Sequence, residues 1–363
     1  MLRKFFWALL LAAALGAFAL PALLKAQIQK GLEEAFPGAK VTLGVFSLEK
    51  PLALALSGAA VHSRGYDGSL GKVVVGTDLS LDVYDPVISI RTLPDPSSAK
   101  KADGKTGAEK LDAFPLAAIR IHRLDFKYSV DGSTAGIKGD LAYSPRARRF
   151  TRIDLTAASF KRGDLSIENA ALTVGADGKG TLTVAGITQQ KLKLSGLSAR
   201  AQLSGGSIRF SAVEALLAGG RVTGSMEVLF TSPVSYRADL AIVLMDLAVL
   251  AKDLEFEAKV ALDGRVDGHV TLSGDAQDIR RLTGELNGTA KGGNLIIHDR
   301  ATLENLAKNV NQPIELVESA FKEYHFDTAA AALGLDGNDL GLKIHLEGVK
   351  GKRDLEVELH DFL

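Results

Sequence analysis

The chain has 363 residues, and its 43 basic and 43 acidic side chains cancel, which removes the electrostatic case for nucleic acid as a main partner. It has no cysteine, which excludes disulfides, thiolate metal sites and a cysteine nucleophile. With 37 glycines, 10 prolines and only 6% aromatic residues, the composition suits a β-protein of many hairpins.

Phe5 to Leu24 runs without a charge, at about the length a helix needs to cross a bilayer core. Phe5, Phe6, Trp7, Leu9, Leu10, Leu11, Leu15, Phe18 and Leu20 are its candidate membrane-anchor residues. Arg3 and Lys4 before it favour a cytoplasmic N-terminus. Ala17-Phe18-Ala19 is a usable cleavage site, so a signal peptide is the rival reading. The apolar run continues past that site through Leu24, which favours an uncleaved anchor at residues 1–25. Either reading places the remainder of the chain outside the cytoplasm. Residues 26–40 read as a juxtamembrane helix, with Ile28, Leu32, Ala35 and Phe36 on one face and Pro37-Gly38 as its stop.

From Val41 onward apolar and polar residues alternate with period two. A first β region covers residues 41–93, a polar low-complexity loop 94–113, and a second β region 114–299. Asp67-Gly68, Asp131-Gly132, Asp177-Gly178 and Asp336-Gly337 are hairpin dipeptides, because tight turns need residues that tolerate positive φ. On the order of eighteen strands are expected, joined mostly by short turns and therefore antiparallel. The clearest alternation spans Leu254 to Leu272, with Phe256, Val260, Leu262, Val266, Val270 and Leu272 on one face. Residues 300–323 read as a helical hairpin restarted at Pro313, and residues 324–363 as further strands.

No catalytic constellation is present. The seven histidines are scattered, and neither HExxH nor GxSxG occurs. Gly175 to Gly180 lies between two strands and reads as a hairpin. His345 and His360 are two possible metal ligands without a third. No metal and no cofactor is expected. The basic run Pro145 to Arg152 reads as a solvated hairpin tip, with attraction to anionic headgroups as its functional alternative.

Three stretches carry a family likeness: the segment from Val41 to Gly65 behind the apolar N-terminus, the strand–Gly-Gly–strand element from Val213 to Val228, and Leu247 to Leu306 with its glycine-rich strand leading into a helix. The tail from Phe326 to Gly348 adds to it. In these the chain resembles the AsmA-like family, whose TamB- and YdbH-type members are inner-membrane-anchored periplasmic proteins of Gram-negative bacteria. The resemblance implies a mainly β fold: a long, curled, largely antiparallel sheet forming an open trough, with an N-terminal transmembrane helix and a small helical element near the C-terminus. It implies a non-enzymatic lipid carrier, single-pass in the inner membrane with its bulk in the periplasm, holding phospholipid acyl chains in an apolar groove. Other envelope proteins would be needed to reach the outer membrane. Phe256, Val260, Leu262, Val266, Val270 and Leu272 are then the expected groove lining. By pattern alone that stripe fits a closed sandwich core equally well; the resemblance favours the trough. A second functional reading is a structural or assembly factor that docks envelope components on exposed strand edges.

Overall fold

A computed structural model describes residues 29, 40–49, 53–63, 65–92, 116–147, 149–231, 233–275, 279–309, 311–336 and 339–359. The expected anchor at 1–25, nearly all of the expected helix at 26–40 and the expected loop at 94–113 lie outside these residues. Among the described residues no helix is long and apolar enough to cross a membrane. Among the described residues the fold is mainly β and mostly antiparallel, with twenty-two strands and three short helices in residues 40–359. The chain divides into two compact units, residues 1–161 and 162–363.

In the first unit, strands β1 (Lys40–Glu49), β2 (Ala53–His62) and β3 (Tyr66–Val75) form successive antiparallel ladders. Asp67-Gly68, expected as a turn, lies inside β3, where both residues pair with β2 and β5. Strands β4 (Ser80–Tyr84) and β5 (Val87–Ile90) share the far edge of β3, and both pair in parallel with β6 (Ala118–Val130). The break between β4 and β5 falls at Asp85-Pro86, where proline removes a ladder donor. Arg123 closes the bend on Asp85 with two bonds, Nε to Oδ1 at 2.5 Å and Nη2 to Oδ2 at 2.7 Å. Strands β7 (Ser133–Ser144) and β8 (Arg149–Arg162) complete the meander, and Asp131-Gly132 turns β6 into β7.

The second unit is a longer antiparallel meander. It runs β9 (Leu165–Val174), β10 (Lys179–Gln189), β11 (Leu192–Ser204), β12 (Ser207–Leu217), β13 (Gly220–Leu229), β14 (Ser235–Asp246), β16 (Arg265–Asp275), β17 (Ile279–Gly288), β20 (Thr328–Asp336), β21 (Asp339–Gly348) and β22 (Gly351–Leu359), each paired with the next. Bulges keep one face apolar. In β12 the inward residues step from Phe210 to Val213 across a register shift, and Ala212 takes the left-handed conformation there (φ 49°). In β14 the step is from Ile242 to Met245, with Leu244 at φ 55°. The extra residue turns the strand so that the next apolar side chain faces the same way as the last.

Two excursions leave this ladder. Between β14 and β16 the chain forms α1 (Leu247–Asp253) and β15 (Val260–Leu262). Asp246 caps α1, accepting from the backbone N–H groups of Ala248 at 3.0 Å and Val249 at 3.2 Å. Between β17 and β20 it forms β18 (Gly293–Ile297), α2 (Arg300–Asn309), α3 (Ile314–Phe321) and β19 (Tyr324–Phe326). β15, β18 and β19 pair into the small sheet. The two helices bury Leu303, Ala307, Val317 and Phe321 with Leu295, Ile297, Tyr324, Phe326 and Leu346 in one closed cluster. The small sheet and the helices together cap one part of the second unit's apolar face.

Candidate functional site

Cross-strand register in the second unit lines up apolar residues over eight consecutive ladder strands. One row reads Val213, Gly224, Leu240, Val270, Gly284, Leu333, Leu342, Val357. The adjacent row reads Ala215, Val222, Ile242, Gly268, Leu286, Ala331, Ile344, Leu355. At about 4.8 Å per strand, eight strands make an apolar ribbon roughly 34 Å across. The intervening row on the opposite face is Glu214, Thr223, Ala241, His269, Glu285, Ala332, Lys343, Glu356. The same ladder is therefore apolar on one side and largely polar on the other.

Under the cap, the ribbon is not filled. A cavity of about 460 Å³ lies between the rows and the capping elements. Its sheet wall includes Val266, Leu286, Ala329, Ala331, Leu342, Ile344, Leu355 and Val357. Facing these are Leu247, Leu250 and Leu254 from α1 and its C-terminal end, Val260 and Leu262 from β15, Leu295 and Ile297 from β18, and Leu306 from α2. The residues of α1 follow the i, i+3, i+7 spacing of one helix face. Lys259, Thr302, Glu356 and Glu358 are the polar residues of the lining, the last two from β22, whose alternation turns their side chains to the opposite face of the sheet. Thr302 donates its hydroxyl to Asp299 at 2.6 Å, and Glu356 lies 3.5 Å from Lys343. Lys259 Nζ makes no ion pair within 4.0 Å among the described residues.

Tyr324 anchors the cap. It is fully buried, and its hydroxyl donates to the carbonyl of Gly351 at 2.7 Å. The Arg353 guanidinium sits 4.9 Å over its ring, and burial pushes the phenol pKa up. The Asp299 carboxylate, held by the Thr302 hydroxyl and backbone N–H, has its pKa lowered and caps α2.

The expected stripe from Leu254 to Leu272 is not one strand. It is divided among the end of α1, a turn, β15 in the small sheet and β16 in the main sheet. The break is at Asp263-Gly264, where Gly264 adopts φ 122° and an added Cβ would lie 3.1 Å from the Gly292 carbonyl oxygen. Phe256, Val260, Leu262 and Val266 come together in the cavity wall. Val270 lies in the first apolar row, packed against a neighbouring cluster that includes Val222, Ile242 and Leu286. Leu272 pairs with Ala238 and Leu282 in a third row and does not reach the cavity. The anchor candidates from Phe5 to Leu20 lie outside the described residues.

Sequence reasoning did not assign the far wall of the cavity to the site. The signal was the tail alternation of Leu342, Ile344 and Leu346 with Leu355 and Val357, which marked two strands without saying what they faced. Among the described residues no three His, Cys, Asp or Glu side chains are placed to hold a metal ion. His345 Nδ1 lies 2.6 Å from the Asp354 carboxylate, which accepts from it, and His360 lies outside the described residues.

A family model described as YdbH-like, intermembrane phospholipid transport protein YdbH, matches residues 116–357. No curated protein and no solved structure matches the chain.

Proposed function

The chain belongs to the YdbH-like family of intermembrane phospholipid transport proteins, and from that premise we propose that it holds phospholipid acyl chains against the apolar face of its second unit. The observation that carries this reading is the pair of apolar rows running across eight strands into an apolar cavity. Acyl chains need dry walls and few polar contacts, and each methylene sheltered from water is worth about 0.8 kcal/mol. A methylene occupies roughly the room of a water molecule, about 30 Å³. The cavity of about 460 Å³ therefore accommodates on the order of fifteen methylenes, close to one acyl chain.

In this proposal the sheet curls into a trough, and the apolar stretch at 1–25 tethers the chain to the inner membrane with its bulk in the periplasm. Phe256, Val260, Leu262 and Val266 line the capped part of the groove, and Val270 and Leu272 line its continuation. Other envelope proteins complete the path to the outer membrane.

Native mass spectrometry of gently extracted full-length protein tests the reading. Phospholipid is expected to co-purify, and Val260→Asp is expected to lower its occupancy, since a carboxylate in that wall must be desolvated or protonated. Lipid-free wild-type protein, or occupancy unchanged by the substitution, would count against the groove. Cross-links to envelope proteins in the absence of lipid would favour the assembly-factor reading.

A further inference from the structure

The face of the second unit opposite the apolar rows carries a second concavity, of about 390 Å³, lined by Arg237, Thr271, Leu272, Ser273 and Arg281. Register fixes its geometry. Arg237 on β14 pairs with Ser273 on β16, and Ser273 pairs with Arg281 on β17. The two arginines are thus two strands apart, about 10 Å between backbones, with Ser273 midway. Both guanidiniums are free of hydrogen bonds and ion pairs among the described residues, although carboxylates stand nearby. Each of those carboxylates is engaged elsewhere. Glu227, the cross-strand neighbour of Arg237, lies 3.5 Å from Arg209 and accepts from Ser207 at 3.4 Å. Asp239 lies 3.2 Å from His269, and Asp275 lies 2.5 Å from Arg280. Thr271 is held by Thr283 at 2.9 Å.

Two like charges flanking a hydroxyl, with the nearby described carboxylates Glu227, Asp239 and Asp275 each engaged by another side chain, leave positive potential in a recess. Guanidinium forks match phosphate oxygens in geometry, and a hydroxyl between them supplies a further donor. We infer that Arg237, Ser273 and Arg281 form a phosphate-binding site on the polar face of the sheet, for a phosphomonoester headgroup or free phosphate. The site lies on the opposite face from the groove and does not depend on the groove reading.

The test is isothermal titration of inorganic phosphate into the full chain in a neutral detergent at low ionic strength. Saturable binding is expected. R237Q/R281Q should weaken it by about tenfold per guanidinium removed, while R221Q, an exposed arginine outside the recess, should stay within about twofold. Should R237Q/R281Q fail to fold, R237K/R281K keeps both charges but loses the fork geometry, and weakened binding is still expected. Phosphatidic acid added to the same micelles, with diacylglycerol as the control, separates the sources. Displacement of phosphate by phosphatidic acid identifies a headgroup site, and failure to displace identifies a free-phosphate site; both outcomes keep the assignment. No saturable binding, full binding in R237Q/R281Q or R237K/R281K, or an equal loss in R221Q would overturn it.

Discussion

Filling the cavity from its own wall separates a lipid site from a packing defect. Ala331 lies in the second apolar row between Leu286 and Ile344, and its side chain lines the cavity. Ala331→Phe adds six ring carbons, enough to exclude about three methylenes at roughly 30 Å³ each. That is about one fifth of the space of about 460 Å³. Losing three buried methylenes at about 0.8 kcal/mol apiece weakens a bound chain by about 2.4 kcal/mol, about fiftyfold in affinity. Native mass spectrometry of gently extracted protein should therefore show the lipid-bound species falling sharply while far-UV circular dichroism is unchanged. The ring enters an apolar hollow, so stability should hold or rise. If the walls instead close on each other in solution, the same ring overpacks a core and costs about 1–3 kcal/mol. A lowered melting temperature with unchanged lipid occupancy would refute the reasoning.

The cap and the ladder make their own predictions. Tyr324→Phe removes the hydroxyl that donates to the Gly351 carbonyl at 2.7 Å, and should cost about 1–2 kcal/mol in a denaturant titration with an unchanged m-value. Gly268→Ala places a Cβ 2.4 Å from the Glu285 carbonyl oxygen and 2.4 Å from Leu286 Cδ2, so the melting temperature should fall; a neutral result would contradict the β16–β17 register. The Asp299 carboxyl has its pKa lowered in the folded state, chiefly by the Thr302 hydroxyl. Its contribution is therefore present above the unfolded value of about 4 and is lost as pH falls through the lower folded value. Between pH 6 and 3 the wild type should lose more stability than Asp299→Asn, which keeps a capping acceptor without titrating; parallel losses would remove Asp299 from the account.

Much of the ladder was legible because hairpin chemistry is local. Asp131-Gly132 and Asp177-Gly178 sit where β6 turns into β7 and β9 into β10, with Gly132 at φ 75° and Gly178 at φ 77°, so the dipeptide and the turn share one physical cause. Asp67-Gly68 misled because the same dipeptide is also tolerated within a strand. β3 carries it between β2 on one side and β5 on the other, and that pairing partner is far away in sequence. The parallel pairings of β4 and β5 with β6 were illegible for the same reason: short alternating runs state which face is apolar but not which edge meets which.

The candidate site was half legible, and the division follows from how a cap is built. Alternation from Leu254 to Leu272 placed apolar side chains on one face, yet it could not distinguish one strand in one sheet from pieces of two. Two local signals bear on the break. Asp246 precedes a run whose Leu247, Leu250 and Leu254 repeat at helical spacing, and Asp263-Gly264 interrupts the alternation with a residue that takes positive φ. Between them the chain has room for one short helix and three strand residues. That small excursion can only be stable by burying its apolar side against something already present, and the rows on β16, β17, β20, β21 and β22 are what it faces. A cap made this way meets its sheet across a long sequence separation, Val260 and Leu262 against Ile344 and Leu355, so its fit is set by tertiary packing and not by local pattern. The space left between them is a mismatch of two surfaces that each satisfy their own local rules. For that reason the stripe on each wall was readable from sequence, and the cavity between the walls was not.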